Sequence, residues 1–161
     1  MKQVFIALSL LLLIACGQAD TIDSNGDETA HAEKKAPLYQ NQLYQVEAIN
    51  GWTIEEETVT EKEQNVSFIN DNTKVIITTT NNEQSNDQLK SKFLSSFSKN
   101  ATIVKEKENY VRLETNRNEN IFGDIYIHQG SDFKVVLIFM TPEQDYDKEK
   151  IQSFNEKIEL F

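Results

Sequence analysis

The chain has 161 residues, 39% of them hydrophobic, and carries 16 Lys and Arg against 26 Asp and Glu, a formal net charge of −10. So acidic a polypeptide does not suit nucleic-acid binding, where affinity comes chiefly from neutralising phosphates with Lys and Arg. One cysteine rules out an intramolecular disulfide, so a hydrophobic core must supply the stability, and the length allows one domain of ordinary size.

At the start of the chain, Met1-Lys2 precedes an apolar run from Val4 to Ala15. At about a dozen residues the run falls short of the roughly 20 that a membrane-crossing helix needs. Directly behind it stands Leu13-Ile14-Ala15-Cys16-Gly17. This order resembles the lipobox of bacterial type II signal peptides, in which the thiol receives a diacylglyceryl group before the peptide is cut ahead of it. The resemblance implies a signal peptide over 1–15, fatty acyl chains such as palmitate on Cys16, and a lipoprotein of the bacterial cell membrane whose domain faces the extracytoplasmic side. The cut would also remove Lys2, leaving a still more acidic chain that anionic lipid repels. Acyl chains would hold it instead, at about 0.8 kcal/mol per buried methylene, two chains giving stable anchoring where one is marginal.

Residues 17–37 are polar and acidic, with Ile22 the single large aliphatic residue. Such a stretch cannot bury enough apolar surface to offset its ordering entropy, so residues 16–42 read as a lipid-anchored flexible tether, with His31 solvated. Residues 43–161 read as a single globular α+β domain. Its first two strands, 43–49 and 52–55, flank the turn Asn50-Gly51. A hairpin follows, 65–69 and 74–80 around Asn70-Asp71-Asn72, the second arm rich in β-branched residues. The period then changes: Ser85-Asn86-Asp87 can cap a helix with Leu89, Phe93 and Phe97 at four-residue spacing. Four more strands are expected at 101–105, 110–115, 121–128 and 133–140, the last two joined by Gln129-Gly130-Ser131-Asp132. Residues 133–140 are the most apolar run past the tether and predict a central strand covered on both faces. Pro142 should end it, and 145–160 carries Ile151, Phe154 and Ile158 at helical spacing. The expected architecture is an antiparallel sheet flanked by two helices, an αβα sandwich.

This order of elements, with Asn50-Gly51-Trp52 leading into a strand, the Asn70-Asp71-Asn72 hairpin, the helix 86–98, the apolar strand 133–140 and a closing helix, resembles the PsbP-like family, which includes the DcrB-type lipoproteins. The resemblance implies a sandwich used mainly for binding or assembly, with no shared catalytic residues. Family members include accessory subunits of membrane-associated machines.

Candidate chemistry is sparse. With period two, Asp124, Tyr126 and His128 share one face of their strand, where a histidine and a carboxylate could share a proton or bind a ligand. The runs 55–57 and 61–63, with Asp145, Asp147 and Glu149, could gather a hard cation, but no calcium-loop spacing with its glycine occurs, and a charge run suits a solvated face. No Gly-x-Ser-x-Gly elbow, Gly-x-Gly-x-x-Gly or Walker-type sequence is present among the five glycines. Trp52 could serve the core or meet a partner. The expectation is therefore a non-enzymatic lipoprotein without metal or cofactor, attached to the membrane through its diacylglyceryl cysteine and binding another envelope protein. Alternatives are capture of a small ligand or cation in a groove lined by Trp52 and acidic side chains, and a small hydrolase using His128 with Asp124.

Overall fold

The computed structural model describes residues 36–60, 64–116 and 118–161. The expected signal peptide, Cys16, most of the expected tether, residues 61–63 and Arg117 lie outside them. Twelve elements follow in chain order: β1 (Tyr39–Gln40), β2 (Tyr44–Val46), β3 (Thr53–Val59), β4 (Gln64–Asn70), β5 (Thr73–Asn81), α1 (Asn86–Phe97), β6 (Thr102–Lys107), β7 (Tyr110–Glu114), β8 (Ile121–Gln129), β9 (Phe133–Pro142), α2 (Lys148–Asn155) and β10 (Ile158–Leu160).

The helix-flanked sandwich expected from the sequence is not what forms. The protein is mostly β, 50% strand and 19% helix among the described residues, with two antiparallel sheets. The large sheet has the order β3-β4-β5-β9-β8-β7-β6 and the small one β1-β2-β10. Two local choices account for the difference. The expected strand 43–49 does not pair with its successor across Asn50-Gly51. Trp52 instead turns inward, its N–H donating to the Ile49 carbonyl at 3.4 Å, and its ring lodges 4.5 Å from the Phe154 ring. That leaves β2 to pair with β1 and β10. The expected closing helix also stops early. The Lys157 N–H bonds the Phe154 carbonyl at 3.0 Å, tightening the last turn, and 158–160 leaves as a strand along β2.

Elsewhere local chemistry and pairing agree. The β4–β5 hairpin turns at Asp71, whose φ of 53° is the left-handed geometry that two-residue hairpin loops require. Ser85 caps α1 reciprocally: its Oγ accepts from the Gln88 N–H at 3.2 Å, and Gln88 Oε1 accepts from the Ser85 N–H at 2.8 Å. Asp147 caps α2 through the N–H groups of Glu149 and Lys150. Gly123 lets α1 sit close to β8, since a Cβ there would stand 2.7 Å from the Phe97 ring.

Strand β9 divides the interior. Val136 and Ile138 face Leu89 of α1 with Val111, Leu113, Ile125 and Ile127. Val135, Leu137 and Phe139 face the opposite way, toward Trp52, Phe68, Phe154 and the small sheet's Tyr39, Tyr44 and Val46. At the centre of this second cluster the Phe154 ring meets Trp52, Phe68 and Phe139 at centroid distances of 4.5, 5.5 and 5.6 Å. Phe154→Ala should therefore cost about 3–5 kcal/mol in urea unfolding followed by Trp52 fluorescence. Phe161→Ala, at a half-exposed ring, should stay within about 0.5 kcal/mol.

Candidate functional site

The register of β7 against β8 assembles the polar cluster of the α2 side. Arg112 stands opposite Asp124 and Tyr110 opposite Tyr126, while His128 lies two residues farther along β8. Alternation thus does put Asp124, Tyr126 and His128 on one face. Asp124 is fully buried. Its Oδ1 accepts from the Arg112 Nε–H at 2.9 Å and from the Tyr110 hydroxyl. Its Oδ2 is buried without a hydrogen-bond partner. A charge taken from water at such a depth persists only beside an opposite charge, which Arg112 supplies.

Arg112 reaches outward as well. Its terminal NH2 donates to the Tyr146 hydroxyl, and its guanidinium lies over the Tyr146 ring at 4.5 Å. Tyr146 in turn stacks edge-on against Phe122 at 5.0 Å. Burial works against the Arg112 charge, but Asp124 outweighs it and the guanidinium pKa rises. Burial, reinforced by the Asp124 charge, pushes the Tyr110 phenol up. The same two causes push Tyr126 up to about 12.

His128 does not join this pair. Its Nε2 is 2.8 Å from Asn155 Oδ1 at the end of α2, so the tautomer fitting this contact donates from Nε2. A shallow groove of about 410 Å3 opens beside it, lined by Lys107, Asn109, Tyr110, Tyr126, His128 and Asn155. The structure therefore gives Asp124 and His128 separate partners instead of one shared proton. Trp52 lies buried in the core between Phe139 and Phe154.

Of the acidic groups, the run 61–63 lies outside the described residues, and several of the others have partners of their own. Glu55 pairs with Lys74 at 2.6 Å, and Ser67 donates to it at 3.2 Å. Glu57 accepts from the Tyr39 hydroxyl at 2.9 Å, and Asp145 accepts from the Asn72 amide. Among the described residues no group of three or more His, Cys, Asp or Glu could hold a metal ion. Within the same residues no helix is long and apolar enough to cross a membrane.

Sequence reasoning missed Arg112, Tyr146 and Asn155. Arg112 had a signal: Tyr110-x-Arg112 and Asp124-x-Tyr126 alternate on neighbouring strands, and an antiparallel register between them brings cation to carboxylate. Tyr146 and Asn155 arrive through tertiary packing, for which local pattern carries no signal.

No family model matches the chain, and comparison with curated proteins gives no match. Among solved structures, a crystal structure from Bacteroides thetaiotaomicron VPI-5482 is similar at a TM-score of 0.44 and 12% identity, over 73% of this chain. The chain spans 45% of the length of that protein's chain. The likeness carries no argument about fold or function.

Two outcomes test this account of the cluster. Arg112→Met strands a buried carboxylate and should lower stability by about 3–5 kcal/mol, whereas the double variant Arg112→Met/Asp124→Leu should lose less, as read by urea melts. The raised Tyr126 pKa favours the folded state fully below the unfolded value near pH 10. That contribution is lost as pH climbs from about 10 toward about 12. Melting temperature should fall over this range, and less steeply in Tyr126→Phe.

Proposed function

We propose that the protein is a lipid-anchored extracytoplasmic protein of a bacterial envelope whose folded body is a non-catalytic binding module for another envelope protein. The observation that carries the binding reading is the state of the large sheet's two edges. All seven residues of β3 and all six of β6 are exposed. Of the five large hydrophobic side chains exposed among the described residues, four lie there: Ile54 and Val59 on β3, Ile103 and Val104 on β6. An edge strand offers unpaired N–H and C=O groups to an added strand, and side chains alternating along it supply selectivity. The polar residues that could have done chemistry are engaged in pairs that tie elements together, Asp124 with Arg112 and His128 with Asn155.

The anchor reading rests on Leu13-Ile14-Ala15-Cys16 behind a short apolar run. Acyl chains leave the body free to be acidic, because attachment then needs no basic surface.

Both parts are open to test in intact cells. Cys16→Ser should move the protein from the detergent phase to the aqueous phase or leave it uncleaved; an unchanged detergent fraction defeats the anchor. A photo-crosslinking residue at Val59 or Val104 should capture a specific protein, and one at Gln152, exposed on α2, should not. No capture from either edge would defeat the binding reading.

A further inference from the structure

The two edges differ in charge. Strand β3 carries Glu55, Glu56 and Glu57 and no cation. Strand β6 carries Lys105 and Lys107, and its one acid, Glu106, is neutralised by Lys90 of α1 at 2.9 Å. Each edge has a register break after the second residue of its strand: between Ile54 and Glu56, and between Ile103 and Lys105.

We propose that the partner of these edges is a second copy of this chain, the acidic β3 of one copy lying along the basic β6 of the next so that the large sheet continues from molecule to molecule. The proposal rests on the reading of the two edges as binding surfaces and gives them a copy of this chain as occupant in place of a different protein. Every neighbouring pair in the seven-stranded sheet is antiparallel. The first and seventh strands therefore run the same way, and a copy displaced by one sheet width presents its β6 parallel to β3 with the same face up.

In that arrangement the side chains match. Glu57 stands opposite Val66, Lys105 opposite Arg112 and Lys107 opposite Tyr110, which puts all three on the face that α2 packs against. Glu57 then meets a lysine at cross-strand distance. Pairing β3 with β3 sets glutamates together, and β6 with β6 sets lysines together, so repulsion removes the like-edge alternatives.

Two features bear on strength. A bulged edge bends away from a straight partner, which guards against adventitious pairing. Traced across the sheet, Ile54 is level with Lys105 and Glu57 with Lys107, so the breaks fall one residue apart and the stretches beyond both of them run in step. The net charge of −10 opposes association only weakly at physiological salt, where screening acts over about 8 Å and the nearest charges dominate. Because the contact joins unlike edges, each added copy leaves one edge of each kind free, and copies related by displacement along the sheet build rows.

The test is sedimentation of the full lipidated chain in a nonionic detergent, with two charge reversals at exposed positions. The wild type should show species of more than one chain whose share rises with protein concentration and falls in 1 M salt. Glu57→Lys alone and Lys107→Glu alone should each lose those species. An equimolar mixture of the two variants should regain them, since each chain then offers an edge complementary to the other's. A wild type that stays single at every concentration overturns the proposal, as does association that survives both reversals or a mixture that fails to recover. If copies stay single while the Val59 and Val104 crosslinkers still capture a different protein, self-pairing is wrong and the binding module stands. Capture of nothing removes both.

Discussion

Strand β9 has to be covered twice, and the rest of the molecule is arranged to do so. Val135, Leu137 and Phe139 point one way and Val136 and Ile138 the other, each set buried. An antiparallel sheet can ordinarily leave one face in water, but a central strand apolar on both faces cannot. On one side the twelve residues of α1 meet the need, with Leu89 fully inserted and Phe93 and Phe97 beside it. On the other side α2 has eight residues and two buried side chains, Ile151 and Phe154, too little to cover the strands it faces. The small sheet completes that layer, contributing Tyr39, Tyr44 and Val46. Chain segments from both ends of the domain therefore meet over β9, and β10 pairs with β2.

The same constraint explains what the sequence reveals and what it hides. The hairpins at 70–72 and 129–132 and the capped helix at 86–97 are legible because turn residues, caps and periodicity are local signals that agree with one another. Strand β10 is hidden because Ile151, Phe154 and Ile158 fit a helical spacing as well as they fit a short helix followed by a strand. What decides between them is the unpaired side of β2, more than a hundred residues earlier. The separation of β2 from β3 is hidden for a related reason. Asn50-Gly51 announces a reversal, but a reversal does not say which strands pair across it. Trp52 settled that choice by burying its ring against Phe154.

Charge is handled differently inside and at the rim. Inside, Asp124 keeps one carboxylate oxygen satisfied by Arg112 and Tyr110, and that tie joins β7 to β8 while Arg112 extends to Tyr146 at the approach to α2. A half-satisfied carboxylate contributes little net stability relative to apolar packing, but breaking its pair is costly, so it penalises misregistered alternatives of β7 and β8. The row Asp124, Tyr126, His128 was legible from alternation alone; that its members answer to different partners was not, because those partners lie on another strand and another helix.

At the rim the logic reverses, since exposed charges near a sheet edge select neighbours more than they stabilise a fold. Glutamates along β3 and lysines along β6 leave the edges unattractive to their own kind. Their regular stretches beyond the register breaks are only a few residues long, so any strand added there gains a few hydrogen bonds and a pair or two of aliphatic contacts. Such an interface is weak for molecules diffusing in three dimensions. Tethering to a lipid surface, as proposed for Cys16, would change the arithmetic, because confinement near one plane raises the concentration each copy meets without a single new contact. The anchor proposed at Cys16 and the pairing proposed for the edges would thus be complementary: attachment would raise the local concentration, and the edge charges would decide which encounters last.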